Sequence, residues 1–439
     1  MTPAPSSATP TDARPVDSGE RLALLDTLRG FALCGVFISN TFMWFSGRAF
    51  LPKEQLEAQF TQGSLIDRLI MPAFGILVGG RFITIFSFLF GLGFAVQLGR
   101  ADARGSDITR LYIRRLVVML ALGLSHLYLI WYGDILSNYA LLGFWLLLFR
   151  KRDDRTILGW AIALLVVGPL LTTFVLKLPQ LLAATPEAAA ALAKAQSERS
   201  AALKVALFPS FTDGSWWDVV KAGATFHRVE FLHIMVLHSV GLLGRFLLGF
   251  YVGRRRLFHD AAQHLPLFRR LLYGALAMGV VGGGVGAVVQ QLVIRKILDP
   301  DALPAWLPFA MTPIRTMGEL GFAATYVLAI TLLFQRATFQ RVLSVLAPVG
   351  RMALTNYLSQ SVISVLVFYG YGLGLFGKLA PSLCILYCLG VFAVQIAFSH
   401  LWLSRFRFGP MEWVWRSLTY GKAQPMRKSA GATGAAVAA

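Results

Sequence analysis

PAFGILVGGRFITIFSFLFGLGFAVQL, residues 72–98, carries one charged side chain, Arg81. It is longer than the run of about 20 apolar residues that crosses a hydrocarbon core as a helix. Similar runs fall near 22–45, 112–132, 134–149, 156–178, 228–253, 270–294, 313–335, 345–369 and 380–404, so the pattern predicts about ten spans. Composition agrees: 56% of the chain is apolar, 14% is charged and mean hydropathy is +0.62, whereas a soluble domain is about one quarter charged. Inside a bilayer each span must satisfy its own backbone hydrogen bonds. The expected fold is therefore all-α, a single polytopic transmembrane helical bundle.

The chain has 41 basic and 22 acidic residues, a net charge of +19. Nucleic-acid binding would need those cations gathered on one soluble face. They lie instead in the connections between apolar runs. Arg100, Arg104, Arg110, Arg114 and Arg115 follow the second run, and Arg150, Lys151, Arg152 and Arg155 follow the fourth. Arg254, Arg255 and Arg256 follow the sixth, Arg336, Arg341 and Arg351 the eighth, and Arg405, Arg407, Arg416 and Lys422 the last. If ten helices alternate, all of these share one side, and the opposite turn at 131–134 has no basic residue. Basic connections stay in the cytoplasm, so both termini are expected there. The lipid bilayer is the expected surrounding, and no nucleic-acid partner is read.

Residues 1–20 are rich in Pro, Ser, Thr and Ala with no apolar core, which reads as a tail and not as a signal peptide. A first five-helix half is expected over 21–178 and a second over 227–422, with another tail at 423–439. Between the halves, 179–226 forms a long outer connection. Thr185, Pro186 and Glu187 make a helix start there, predicting a surface-lying amphipathic helix. Cys34, Cys384 and Cys388 lie in apolar runs and read as packing residues, with no disulfide or zinc pattern.

Ionisable groups at bilayer depth cost about 2.5 kcal/mol or more, so each needs a partner, a wet cavity or an interface. In RLALLDTLRGFALCGVFISN (21–40), Asp26 and Arg29 share a helix face. They form an anchoring ion pair, or Arg29 joins Arg114 and Arg115 to receive a phosphate-bearing donor, since guanidinium matches phosphate oxygens. Arg81 has no acid nearby in sequence and needs a partner from another helix. In SHLYLIWYGDILSNYA (125–140), His126 lies two turns before Asp134. A carboxylate beside an imidazole fixes its tautomer and raises its basicity, the minimum for general-base work; hydrogen bonding to a neighbouring helix is the plainer alternative. Trp131 and Tyr132 read as interface-belt residues.

FHRVEFLHIMVLHSVGLLGRF (226–246) sets Glu230 and His233 at i and i+3, half of a di-metal motif whose second half is missing, so no metal is assigned. Arg245 again needs a partner, and Glu319, four residues after Arg315, is placed to pair locally. Asn356 and Gln360 in GRMALTNYLSQS (350–361) share a face, either gluing helices or lining a cavity.

The stretches 21–40, 86–94 (FSFLFGLGF), 125–140, 350–361 and the closing FGPMEWVWRSLTYGK (408–422) together resemble the YeiB-like bacterial membrane proteins, whose C-terminal half is catalogued as domain of unknown function 418. The LDTLRG opening is also similar to that of the transmembrane acyltransferase superfamily, which includes the acyltransferase-3 proteins and the lysosomal glucosaminide acetyltransferases. That resemblance implies passage of an acyl group from a cytoplasmic acyl-CoA-type co-substrate, without a resident cofactor, to a small-molecule, lipid or glycan acceptor on the far side. It implies a donor route near Asp26 and Arg29. The acyltransferase-3 pattern has a histidine where this chain has Asn40, so the base would have to be His126 with Asp134, and Arg81 or Asn40 would polarise the acyl carbonyl. A transporter with Arg81, Arg245 and Glu319 along its path is the alternative, and a structural membrane protein without catalysis the second alternative.

Overall fold

The computed structural model describes residues 23–103, 109–294, 297–298 and 306–428. The tail expected at 1–20, the part of the tail expected at 423–439 that runs from 429 onward, and Arg104 lie outside the described residues. Helix α1 (Ala23–Asn40) runs into one π turn, Thr41–Phe45, and stops at Gly47, whose φ of +77° is left-handed. After α2 (Lys53–Thr61) comes α3 (Leu65–Leu77), whose N-cap Ser64 accepts a hydrogen bond from the Asp67 N–H. The run at 72–98 is not one continuous helix. It breaks at Val78–Gly80, where Gly80 takes φ +78°, and restarts as α4 (Arg81–Ala103). Glycine tolerates that backbone at no steric cost and so ends a helix that the apolar pattern alone would continue.

The remaining helices are α5 (Thr109–Leu129), α6 (Leu136–Leu147), α7 (Asp154–Leu181), α8 (Pro186–Thr212), α9 (Trp216–Phe226), α10 (Leu232–Arg254), α11 (Leu265–Ile294), α12 (Leu307–Phe334), α13 (Ala337–Leu343), α14 (Ala347–Arg351), α15 (Ala353–Phe368), α16 (Pro381–Arg405) and α17 (Pro410–Tyr420). A second π turn, His227–Phe231, joins α9 to α10. Among the described residues, eight helical segments are long and apolar enough to cross a membrane, and α6 and α15 are shorter apolar helices. The chain is a multi-pass membrane protein. The two short helices occupy the fourth and ninth expected spans, with 12 and 16 residues, about 18 and 24 Å at 1.5 Å per residue.

Burial separates the centre from the rim. The most apolar window of the α1 segment is 56% buried, that of α7 17%. Trp160, Val166 and Phe174 of α7, Tyr273 and Val281 of α11, and Leu386 and Val394 of α16 are exposed, an apolar surface suited to lipid. The two expected halves do not form separate cores: Leu28, Phe82 and Leu89 share a cluster with Phe258, Ala323 and Val327.

The long connection holds two helices. Thr185 caps α8 as expected, accepting from the Ala188 N–H at 3.2 Å, and Phe211 is the one buried residue of that helix. Trp131 and Tyr132 are not belt residues. Each is 2% exposed, within an aromatic cluster with Phe45, Phe50, Phe211, Phe226 and Phe376. Over 423–428, expected as part of the second tail, the chain that turned at Gly421 returns along the end of α16, with an antiparallel bridge between Phe406 and Arg427.

Arg48, which nothing in the sequence singled out, locks the end of the bundle near this aromatic cluster. It is 2% exposed and donates to the Phe42 carbonyl at 2.7 Å, the Leu379 carbonyl at 3.0 Å and Gln59 Oε1 at 2.8 Å, with its guanidinium 4.4 Å from the Phe42 ring centre. An ammonium cannot reach three divergent acceptors from one plane. Arg48→Lys is expected to lower stability by about 2–3 kcal/mol, read as a drop in thermal unfolding midpoint in detergent; an unchanged midpoint would show that the lock carries no energy.

Candidate functional site

A cavity of about 370 Å³ lies among α1, α4, α5, α6, α15 and α17. Its polar rim comes from helix ends that antiparallel packing brings together: Asp26 and Arg29 open α1, Arg100 closes α4, Arg115 lies in the second turn of α5, and Arg351 closes α14. Asp26 holds Arg29 by a 2.7 Å ion pair. Arg115 donates to Gln97 Oε1 at 3.0 Å and lies 4.0 Å over the Trp415 ring, while Arg351 Nε is buried without a hydrogen-bond partner. Further in, the lining is Leu33, Val36, Phe86, Phe90 and Met119, ending at Tyr139, Ile135 and Tyr357. One end is cationic and the other apolar and aromatic, which suits an amphipathic anion.

His126 and Asp134 form the expected pair, with Nδ1 2.9 Å from Oδ1. The other Asp134 oxygen accepts the Ser137 N–H at 2.7 Å, at the first turn of α6. The carboxylate is thereby fixed, and it holds the imidazole with the proton on Nδ1, leaving Nε2 as the acceptor nitrogen. Nε2 is buried and has no hydrogen-bond partner among the described residues. The pair does not line the cavity. His126 is 1% exposed, and its ring stands 5.3 Å from that of Tyr357, which does line it. Tyr357 and Ile135 thus wall the imidazole off, joined by a 3.4 Å contact from the Ile135 N–H to the Tyr357 hydroxyl.

Arg29, Asp26 and Arg115 meet at the rim as expected. Arg114 points away, exposed, with its guanidinium beside Gly421. Asn40 is half-buried, one turn beyond Val36 on the α1 face that carries Asp26, Arg29 and Leu33 into the cavity. Arg81 is not with His126. It lies at the α3–α4 break near Glu319, and Glu319 pairs with Arg245 of α10 at 3.3 Å instead of with Arg315. Asn356 and Gln360 face α16 and glue it: Asn356 donates to Ser399 Oγ at 3.1 Å and Gln360 to Gln395 Oε1 at 2.8 Å. The cavity takes their neighbour Tyr357.

Helix α17, PMEWVWRSLTY, contributes residues that spacing along the sequence does not mark as part of a site. Glu412 caps α15, accepting the Leu354 N–H at 2.7 Å, the Thr355 N–H at 3.1 Å and the Thr355 hydroxyl at 2.5 Å. Trp415 Nε1 donates to the Arg115 carbonyl at 3.0 Å. These bonds hold α17 as a wall of the cavity. Burial pushes the Glu412 carboxyl up from its ordinary value, and the Thr355 and Leu354 donors only partly offset this. A carboxyl raised in the folded state binds its proton more tightly there, so its contribution to stability is present below the ordinary carboxylate range and is lost as pH rises through the folded value. Glu412→Gln keeps an acceptor oxygen but does not titrate. Unfolding midpoints between about pH 4 and about pH 8 should fall less steeply for the variant than for the wild type; parallel curves would remove Glu412 as the titrating wall.

A family model described as "Protein of unknown function (DUF418)" matches residues 252–422. The uncharacterized protein YxaH of Bacillus subtilis (strain 168) is 34% identical over 429 residues, covering 94% of this chain and 98% of the relative. An uncharacterized 39.9 kDa protein in the amylase 3' region of Bacillus acidopullulyticus is 28% identical, covering 94% and 97%, and the uncharacterized protein YeiB of Escherichia coli (strain K12) is 29% identical, covering 92% and 98%. No solved structure matches the chain. The similarity covers more than nine tenths of this chain and of each relative: the chain belongs to the YeiB-like family and carries the domain of unknown function 418 over residues 252–422.

Proposed function

We propose that this protein is a membrane-embedded acyltransferase of the bacterial cytoplasmic membrane, with both termini in the cytoplasm and a donor of acyl-CoA type held in the cavity. The observation that carries the reading is a cation-rimmed, apolar-ended cavity that stops on Tyr357, with an oriented imidazole directly behind it. The basic rim belongs on the cytoplasmic side by the bias of membrane proteins towards basic cytoplasmic connections. Arg29, Arg115 and Arg351 would bind donor phosphate oxygens, and the apolar depth would take the pantetheine arm and its acyl group.

Chemistry then requires the Tyr357 side chain to swing aside, so that an acceptor hydroxyl from the outer side reaches Nε2 of His126. The hydroxyl oxygen attacks the thioester carbonyl carbon as its proton passes to Nε2. The C–S bond breaks, the new C–O bond remains, and the departing thiolate takes the proton back. Asp134 stabilises the imidazolium formed between those steps. Asn40, on the same α1 face one turn further along, is placed to donate its amide N–H to the developing oxyanion.

With acetyl-CoA as the donor probe in reconstituted membranes, His126→Ala should cut acyl transfer by about 10²–10⁴-fold without reducing CoA binding. Arg29→Gln with Arg115→Gln should weaken CoA binding by about tenfold or more. Undiminished transfer by the His126 variant would remove the proposed base. Comparison of lipids and envelope glycans by mass spectrometry, with and without the gene, should reveal an acceptor heavier by one acyl group. Net uptake of a solute into proteoliposomes without any acylated product would favour transport instead.

A further inference from the structure

A second polar cluster lies apart from the cavity, where α3 gives way to α4. The backbone turns there at Gly79 and Gly80, and a new helix of 23 residues starts at Arg81 within a membrane-crossing segment. The Arg81 N–H is taken by the Val78 carbonyl at 3.1 Å and the Thr84 N–H by the Gly80 carbonyl at 3.3 Å, so the start of α4 presents the Phe82 and Ile83 N–H groups and the positive end of a helix dipole. The Glu319 carboxyl from α12 rests against this turn: a methyl group on Gly80 would lie 2.8 Å from its Cδ. Arg245 from α10 reaches the same carboxylate at 3.3 Å. Arg81 donates to the Gly79 carbonyl, and its guanidinium lies 5.9 Å from the Phe322 ring centre.

The charges in this cluster do not balance. Arg81 and Arg245 are 7% and 9% exposed, and the Nε of each is buried without a hydrogen-bond partner. Among the described residues, Glu319 is the one acid paired with Arg245, and no acid is paired with Arg81. Two guanidinium groups and a helix start therefore converge on one carboxylate. The Glu319 side chain is 29% exposed, and Arg315, one turn earlier on α12, is exposed and within its reach by helix spacing.

We infer that the α3–α4 break is an oxyanion-binding site, in which Arg81, Arg245 and the Phe82 and Ile83 N–H groups of α4 take a carboxylate or phosphate group of a solute. Glu319 is the resident stand-in. The incoming oxyanion displaces it from Arg245, and it moves towards Arg315. Broken helices in membranes supply this combination of free backbone donors and dipole at depth, and the unpartnered guanidinium nitrogens add the charge that holds an anion there. The site is separate from the donor cavity and does not depend on acyl transfer.

The test uses full-length protein in nanodiscs of zwitterionic lipid, with inorganic phosphate as the probe and chloride at matched ionic strength as the reference. All variants carry Arg29→Gln and Arg115→Gln, so that the rim of the other cavity does not contribute. By calorimetric titration, Glu319→Gln should bind phosphate at least about tenfold more tightly than its parent, because the competing carboxylate is gone. Adding Arg245→Gln should return the affinity to the parent value or below. Equal affinity of the parent and the Glu319 variant would overturn the site, as would tight binding that survives loss of Arg245. Should Glu319→Gln alone not yield folded protein, thermal unfolding decides. Phosphate should raise the parent midpoint more than chloride does and should lose that advantage in the doubly neutral Glu319→Gln, Arg245→Gln protein; the same advantage in both proteins overturns the site.

Discussion

The backbones of α4 and α10 touch, and the positions of both polar regions follow from that contact. A methyl group on Gly91 would lie 1.8 Å from the Phe246 carbonyl oxygen, and one on Gly249 would lie 1.9 Å from that of Phe88. Small residues let membrane helices approach where lipid gives no hydrophobic drive to associate. The approach stacks Phe90 on Phe246 at 4.6 Å and brings Phe246 edge-on to Tyr139 at 5.0 Å, which closes the inner end of the cavity. It also aligns the start of α4 with Arg245, the residue before Phe246. One interhelical contact thus separates a cation-rimmed hollow on one side of the Tyr139–Phe246 wall from a guanidinium cluster on the other.

The multi-pass helical architecture was legible because hydrocarbon thickness and backbone hydrogen bonding leave few alternatives to a run such as 380–404. The interruption at Gly79–Gly80 was less so, since an apolar window sums over glycines without registering a left-handed φ. Two local pairs were read well, Asp26 with Arg29 and His126 with Asp134, close in sequence and close in space, while the third expected one failed, Glu319 pairing with Arg245 and not with Arg315. Pairs between distant helices were not read. Arg245 with Glu319 spans 74 positions, and Arg48 finds carbonyls 6 and 331 positions away. Spacing along one helix says which residues share a face but not which neighbour that face meets. Asn356 was placed on a face with Gln360 correctly, yet the face meets α16, while Tyr357 one residue on meets the cavity.

α17 shows why the closing signature carries structural information. Glu412 places a carboxylate at the start of α15, where the N–H groups lack acceptors, so an acid there serves as a cap from outside the helix. Trp415 then stacks under Arg115 while its indole N–H ties to the backbone of the same residue. The order of contacts explains the helix's position. Glu412 fixes its start against α15, Trp415 fixes its middle against α5, and the intervening face is left to line the hollow.

The rim and the interior of that hollow pose opposite demands, and a ligand that meets both must be charged at one end only. Among the described residues, Arg29 has Asp26 at the rim, Arg115 has the neutral Gln97 oxygen and the face of Trp415, and the Nε of Arg351 has no hydrogen-bond partner. Like charges around a partly buried space repel through a dielectric well below that of water, so an anion placed between them gains more there than at an open surface. Ten ångströms or so deeper the lining offers methyl groups and rings, where the same anion would lose its hydration without replacement. A small inorganic anion satisfies only the rim and a hydrocarbon only the interior. An anionic head joined to an apolar arm would satisfy both, because the apolar lining ends at Tyr357, whose ring centre stands 5.3 Å from that of His126.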